Sequence, residues 1–340
     1  MIDLLLFNKT IIMNSRFFLS SILYKQINIT MKQKIYLQTL LLFCLLLISE
    51  STQSKSKQVP QPLKVGYSVG INGITAEKMK YAKAVGITCI ETSLNAIVEK
   101  GKYSEEEIIR RVKAAKAIAD EAGIQIWSIH MPFGNDGDLS KADENERKSV
   151  VEYHKSVLKY CRILKPKIIL FHPSFYLGLN ERGVRMNQMI QSAIELNKEV
   201  KKIGAKMVIE NMLGYELLRD KNRERPLCRT VDEMMTIMNR LPKNIYAAVD
   251  MNHIKNPEKL IRALGKRLKS VHVSDGDGKK ECHYFPCSGK GENNWIDILS
   301  ALNEVNYKGP FMYESQYPDV KDLVSCYQTL YEQYISTIKR

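Results

Sequence analysis

Residues 245–253 read Ile245-Tyr246-Ala247-Ala248-Val249-Asp250-Met251-Asn252-His253. Five apolar or aromatic residues closed by an aspartate form a run too short for a helix, and its continuous apolarity is that of a strand buried on both faces. The acid at its C-terminal end is the unusual part, because a core strand has no need of one.

The same pattern recurs along the chain. Strands are predicted at Leu63–Ser68, Thr88–Ser93, Ile124–Met131, Lys167–His172, Lys206–Asn211, Ile245–Asp250, Lys269–Ser274 and Gly309–Glu314. The segments between them are helix-periodic. Ser104 and Glu107 form a capping box ahead of Ile108, Val112, Ala115 and Ala119, which recur at helical spacing, and Gly123 ends that helix. Thr230 with Glu233 repeats the start signal, and Gly86 and Gly204 repeat the stop signal. Eight strand–helix units in about 270 residues predict a (β/α)8 TIM barrel, a single domain over residues 63–340. A doubly wound open sheet is the competing architecture, but no Gly-x-Gly-x-x-Gly follows the first strand.

Ahead of the barrel, Leu37–Ile48 is a short apolar run with Lys32 and Lys34 before it and Ser49, Ser51, Thr52 and Ser54 after it, the pattern of a secretory signal peptide. It is shorter than the roughly 20 residues of a spanning helix, so no stable membrane span is expected. The reading is a targeting region over 1–54, with Met31 as the start and 1–30 an upstream mis-start, then a Ser/Lys/Gln/Pro-rich linker over 55–62. It implies export to the periplasm or beyond. Lipid anchoring at Cys44 is disfavoured because Leu42 and Phe43 precede it.

Residues 1–51 hold five basic and two acidic residues, so most of the net charge of +14 belongs to the barrel. Its basic residues alternate with acids along the helices, as in Glu105–Lys116 and Glu195–Lys202, which reads as solvated helix faces and argues against nucleic-acid binding. The seven cysteines include no Cys-x-x-Cys pair, which excludes a zinc ribbon or a thioredoxin-like motif. In an exported chain Cys282 and Cys287 either close a small loop or stay free.

In a parallel barrel every strand C-terminus opens on one face, so polar residues at those ends converge. His130 ends strand three, His172 strand four, Glu210 strand five, Asp250 strand six and Glu314 strand eight. His272 lies in strand seven, and His253 and His283 sit just past strands six and seven. Five of the six histidines fall there, the exception being His154 on a helix. One such histidine alone reads as a hydrogen-bonded core residue. Together with three carboxylates at matching depth, the set calls for a cation, because buried acids must otherwise take up protons at a cost. Glu210, Asp250, Glu314 and His272 form an oxygen-rich donor set with one nitrogen, suited to Mn2+, Mg2+, Co2+ or Zn2+. Such a metal acts as a Lewis acid on a sugar carbonyl and its neighbouring hydroxyl, with Glu210 and Glu314 as the base and acid pair.

The segments Val208-Ile209-Glu210-Asn211, Val249-Asp250-Met251-Asn252-His253, Val271-His272-Val273-Ser274-Asp275 and Met312-Tyr313-Glu314-Ser315 resemble the xylose isomerase-like TIM barrel superfamily, the sugar phosphate isomerase/epimerase family among it. The resemblance runs over roughly Leu63 to Arg340. It implies that Glu210, Asp250, His272 and Glu314 bind the metal, that the two glutamates exchange the proton, and that His253 contacts substrate. His130, His172 and His283 are expected in the same substrate site, His283 through a segment 281–291 that resembles the His/Pro/Gly loop of other members. The ketose 3-epimerases carry a substrate-binding arginine six residues past the metal histidine, where this chain has Gly278.

The expected function is a metal-dependent sugar isomerase or epimerase acting on a small, non-phosphorylated sugar outside the cytoplasm. The alternatives are a 3-keto-sugar lyase or hydratase, a non-catalytic carbohydrate-binding protein, and a three-zinc phosphodiesterase like the abasic-site endonucleases of the same fold. The last would use His130, His172, Glu210, Asp250, His253, His272, Glu281, His283 and Glu314, with Glu281 where that family has aspartate, and export argues against it. The rim loops Tyr103–Glu107, Pro132–Asp138 and Phe175–Gly183 are expected to shape specificity. Oligomeric state is not legible in the sequence.

Overall fold

Eight short strands form one parallel sheet: β1 (Val65–Gly70), β2 (Cys89–Ser93), β3 (Gln125–His130), β4 (Ile168–Phe171), β5 (Lys206–Glu210), β6 (Tyr246–Asp250), β7 (Leu268–His272) and β8 (Phe311–Tyr313). The computed structural model describes residues 59–99, 101–214 and 222–338. The expected targeting region 1–54 lies outside the described residues, as do residues 55–58 of the linker. Strand order is β8-β1-β2-β3-β4-β5-β6-β7, and a parallel bridge between Val273 and Tyr313 joins the two ends into a barrel. There Val273 N donates to Met312 O at 2.7 Å and Glu314 N to Val273 O at 3.1 Å. The expected (β/α)8 barrel is the fold, each predicted strand lying within two residues of its observed span.

A helix follows each strand: α1 (Ala76–Ala84), α2 (Glu105–Glu121), α3 (Glu144–Leu164), α4 (Arg182–Ile203), α5 (Val231–Arg240), α6 (Pro257–Leu264), α7 (Trp295–Glu304) and α8 (Val320–Ile338). The caps read from sequence are in place. The Ser104 side chain accepts from Glu107 N and that of Thr230 from Glu233 N, and Gly204 closes α4 in the left-handed conformation. No helix among the described residues is long and apolar enough to cross a membrane.

Strand alternation sorts the core into two faces. Ile169, Phe171, Met207, Ile209, Ala247 and Val249 belong to the large core shared with the helices. Ile168, Leu170, Val208 and Ala248 form a separate cluster inside the barrel, with Trp127 and Tyr246 packed on it. Stepping two residues on from Leu170, Val208 and Ala248 reaches His172, Glu210 and Asp250, so the period of two carries the inner face upward to the chemistry. Two register breaks interrupt the barrel. Between β2 and β3 the pairing jumps from Ile90–Ile126 to Glu91–Ser128, passing over Trp127. Between β6 and β7 it jumps from Ala247–Leu268 to Ala248–Ser270, passing over Lys269. Such bulges re-aim local side chains.

The cysteine reading is corrected in one respect. Cys287 pairs with Cys326 of α8, while Cys282 is free. The cause is that the backbone of Cys282 is tied to the Asn252 side chain, whereas the turn Pro286–Ser288 carries Cys287 across to α8.

Candidate active site and metal centre

The four strand-end donors expected to share a cation come together. Glu210, Asp250, His272 and Glu314 offer ligand atoms all within 4.8 Å of one another. His272 Nδ1 lies 2.7 Å from Glu210 Oε1 and 2.6 Å from Glu314 Oε2. One imidazole N–H at Nδ1 cannot serve both carboxylates fully, so one of them is short of a donor at that nitrogen. Glu210 Oε2 and Asp250 Oδ2 are buried and lack an aligned hydrogen bond. Orphaned carboxylate oxygens at a sealed cluster are what a divalent cation would satisfy, and the three carboxylates with one imidazole fit a hard or borderline metal.

Two further donor groups adjoin this one. His130, His172 and Glu210 form the first, and Asp250, His253 and His283 the second, each with atoms within 4.8 Å. His172 Nε2 is 3.1 Å and His130 Nε2 3.6 Å from Glu210 Oε2. His253 Nε2 is 3.5 Å from Asp250 Oδ2 and 3.2 Å from Glu281 Oε2, and His283 Nε2 is 3.0 Å from the same Glu281 oxygen. Glu210 and Asp250 are therefore shared between neighbouring groups. All eight site residues expected from the sequence meet at one mouth of the barrel. His154, set apart in the sequence reading, is elsewhere: buried on α3, its Nε2 meets Gly137 O at 3.0 Å. Burial pushes it down to about 4, so it stays neutral.

Without metal, the histidines and acids compensate one another. Burial opposes charge on His272, but Glu314, Glu91 and Glu210 hold its cation well above the usual range. Burial likewise opposes His130, which Glu210 pushes up to about 9, and His253, which Asp250 and Glu281 push up to about 10. Burial would raise Glu314, yet His272 brings it down to about 2. Burial lowers His172 and raises Asp250.

Backbone interactions fix the donors. Asn211 clamps β6 by accepting from Asp250 N at 2.8 Å and donating to Asp250 O at 3.1 Å, and Asn211 O faces His253 Nδ1 at 2.9 Å. Asn252 Oδ1 accepts from Cys282 N and His283 N, both at 3.2 Å, while Asp275 and Tyr284 exchange backbone hydrogen bonds. The loop after β7 thus turns back to present Glu281 and His283. His283 holds a φ of 44°, a conformation such side chains rarely adopt. Gly278, at the epimerase arginine position, has a φ of 70°, and a Cβ there would stand 2.4 Å from Lys255 N. This loop has no room for a side chain at that point.

Two contributors were not read from the sequence. Glu91, in the middle of β2, is completely buried; its Oε2 accepts from the Ser128 hydroxyl at 2.7 Å and its Oε1 lies 2.8 Å from His272 Nε2. The only signal was an acid inside an apolar strand. Phe133, 51% exposed, packs on His130 and His172 at ring distances of 5.2 and 4.9 Å. It stands in the expected specificity loop and gives the rim an apolar wall.

The profile of the xylose isomerase-like TIM barrel family matches residues 79–330. Two Methanocaldococcus jannaschii proteins without an assigned function, MJ1614 and MJ1311, are each 24% identical to the chain. MJ1614 aligns over 61% of this chain and 76% of its own length, and MJ1311 over 66% and 74%. Among solved structures, a D-tagatose 3-epimerase-like protein superposes with a TM-score of 0.60 at 19% identity, covering 80% of this chain and 98% of its own. The 3-keto-D-glucoside 4-epimerase of E. coli gives 0.60 at 17%, covering 78% and 99%. An L-ribulose 3-epimerase gives 0.61 at 16%, covering 82% and 96%. At these identities the likeness establishes the fold. With the family profile spanning most of the barrel, the chain belongs to the xylose isomerase-like TIM barrel family.

Proposed function

We propose that this chain is a divalent-metal-dependent enzyme that moves a proton beside the carbonyl of a small, non-phosphorylated sugar outside the cytoplasm, as an isomerase or epimerase. The observation that carries the reading is the pair Glu210 and Glu314, flanking one nitrogen of His272 at 2.7 and 2.6 Å within the four-donor group. A cation held by Glu210, Asp250, His272 and Glu314 would polarise the carbonyl and the adjacent hydroxyl, acidifying the neighbouring C–H. One glutamate then takes that proton and the other returns one, leaving the substrate isomeric with no change of oxidation state. The Glu210 side chain is 1% exposed and that of Glu314 29%, so Glu314 is the one open to the rim. His130, His172, His253 and His283 surround the reacting region and orient hydroxyls, and Phe133 offers an apolar face to the sugar ring. Gly278 in place of the arginine keeps a 3-keto-sugar lyase or hydratase as the alternative to ketose epimerisation, since elimination or hydration next to the keto group shares the same first step.

The test combines metal analysis with solvent deuterium exchange into ketoses and 3-keto-glycosides. Metal-loaded protein is expected to exchange at least one substrate, and Glu210→Gln to abolish it. No exchange across the panel overturns the reading.

One observation favours a second reading. The three donor groups share Glu210 and Asp250, which is a donor set for three adjacent cations and hence for metal-assisted phosphodiester hydrolysis. Three zinc ions per chain together with cleavage of abasic-site DNA would establish it, and a single metal without cleavage dismisses it.

A further inference from the structure

The opposite mouth of the barrel holds a cavity of about 600 Å³ that plays no part in the chemistry above. Five lysines line it, Lys167, Lys206, Lys266, Lys269 and Lys308, and no carboxylate does. Lys167, Lys206, Lys269 and Lys308 stand at or near the starts of β4, β5, β7 and β8, so the topology that converges acids and histidines at one mouth converges ammonium groups at the other. Some helix lysines of this protein meet an acid three or four residues away, as Lys155 meets Glu152 and Lys202 meets Glu199. The five cavity lysines have no ion pair among the described residues; Lys206 and Lys269 stand over the Tyr246 ring at 5.7 and 5.4 Å instead.

A second, independent feature marks the same place. The two residues passed over at the barrel's register breaks, Trp127 and Lys269, both line this cavity. Each bulge brings a side chain to the mouth that regular pairing would have sent elsewhere. The Trp127 indole N–H has no acceptor among the described residues. Burial and the neighbouring Lys206 hold the Lys269 ammonium below its usual range, the cost of gathering like charges without a counter-ion.

We propose that this cavity is a binding site for a small, multiply charged oxyanion of the phosphate type. Ammonium groups gathered around one cavity all attract an anion held there, so a compact polyanion gains from several of them at once where a monovalent ion gains little. The proposal is independent of the reaction at the other mouth.

Inorganic pyrophosphate, titrated calorimetrically into the full chain, is the probe, with sodium chloride at matched ionic strength as control. Expected is one saturable site per chain, a raised melting temperature, and affinity weakened by about tenfold or more, or 1.4 kcal/mol and upward, in the double variant Lys206→Glu/Lys269→Glu. The titration is run on metal-free protein with unchanged helical circular dichroism as the folding control, and Lys206→Gln/Lys269→Gln replaces the double variant if that control fails. Pyrophosphate effects no larger than those of sodium chloride, or unchanged binding in the folded variant, overturn the proposal. Binding confined to vesicles containing phosphatidylglycerol, with none to soluble pyrophosphate, overturns the assignment to a small anion.

Discussion

Glu91 and His272 show how a side chain outside the donor group sets its chemistry. A neutral imidazole carries one N–H. The Glu91 carboxylate, 2.8 Å from Nε2 though without an aligned hydrogen bond, favours the proton on that nitrogen by charge, which leaves Nδ1 bare toward Glu210 and Glu314, where a cation would be held. Ser128 holds Glu91 from the other side at 2.7 Å. Glu91→Gln is therefore expected to weaken metal affinity by about 10- to 100-fold, read by competition with a chromophoric chelator, while the metal-free protein keeps its helical circular dichroism. Unchanged affinity would assign Glu91 to packing alone. The eight strand-end residues were legible because each ends or follows an apolar run with a group that has no place in a core. Glu91 was not, because its partner lies on a strand far along the chain and nothing in its own neighbourhood points there.

Among the elements, the loop from Asp275 to Asn293 does the most to complete the site. It has little regular structure and is held by Asn252, by Asp275 and by the Cys287–Cys326 bond to α8. With the cysteines 39 positions apart in sequence, loop-closure entropy gives the bond a contribution of roughly 4 kcal/mol. Urea unfolding with and without reductant, or of Cys326→Ser, is expected to show a loss of about 2–4 kcal/mol; coincident curves would contradict that. Strands and helix caps were legible, as Ser104 and Thr230 show, since capping depends on residues three apart. The disulfide and the bulges at Trp127 and Lys269 were not. Partner choice for Cys287 depends on where α8 packs, and a bulge is a property of two strands rather than of either.

For the molecule as a whole, the metal-free site stores protons. His130, His253 and His283 are pushed up to about 9, 10 and 9 by the acids around them, against the effect of burial. Their contribution to stability is full below their ordinary pKa of about 6.5 and is lost as pH rises through the folded values. Glu314, brought down to about 2, contributes above its ordinary pKa of about 4.3, and that contribution is lost as pH falls toward 2. Because His154, pushed down to about 4 by burial, costs stability as pH falls below about 6.5, the metal-free protein is expected to be most stable near pH 6.5. Bound metal replaces the protons and moves the optimum upward. Melting temperatures across pH, with chelator and with added Mn2+, check this; metal-free protein that gains stability from pH 6.5 to 9 would contradict it.

The proposed chemistry requires that Glu210, Asp250, His272 and Glu314, brought from four strands to one mouth of the barrel, hold a divalent cation. Metal content per chain, measured by mass spectrometry after exhaustive dialysis of wild-type protein and of Asp250→Asn loaded with Mn2+, Co2+ or Zn2+, tests it most directly. At least one tightly held ion per wild-type chain and a marked loss in the folded variant are expected. Wild-type protein that retains no metal, or a variant that retains as much as the wild type, would contradict it.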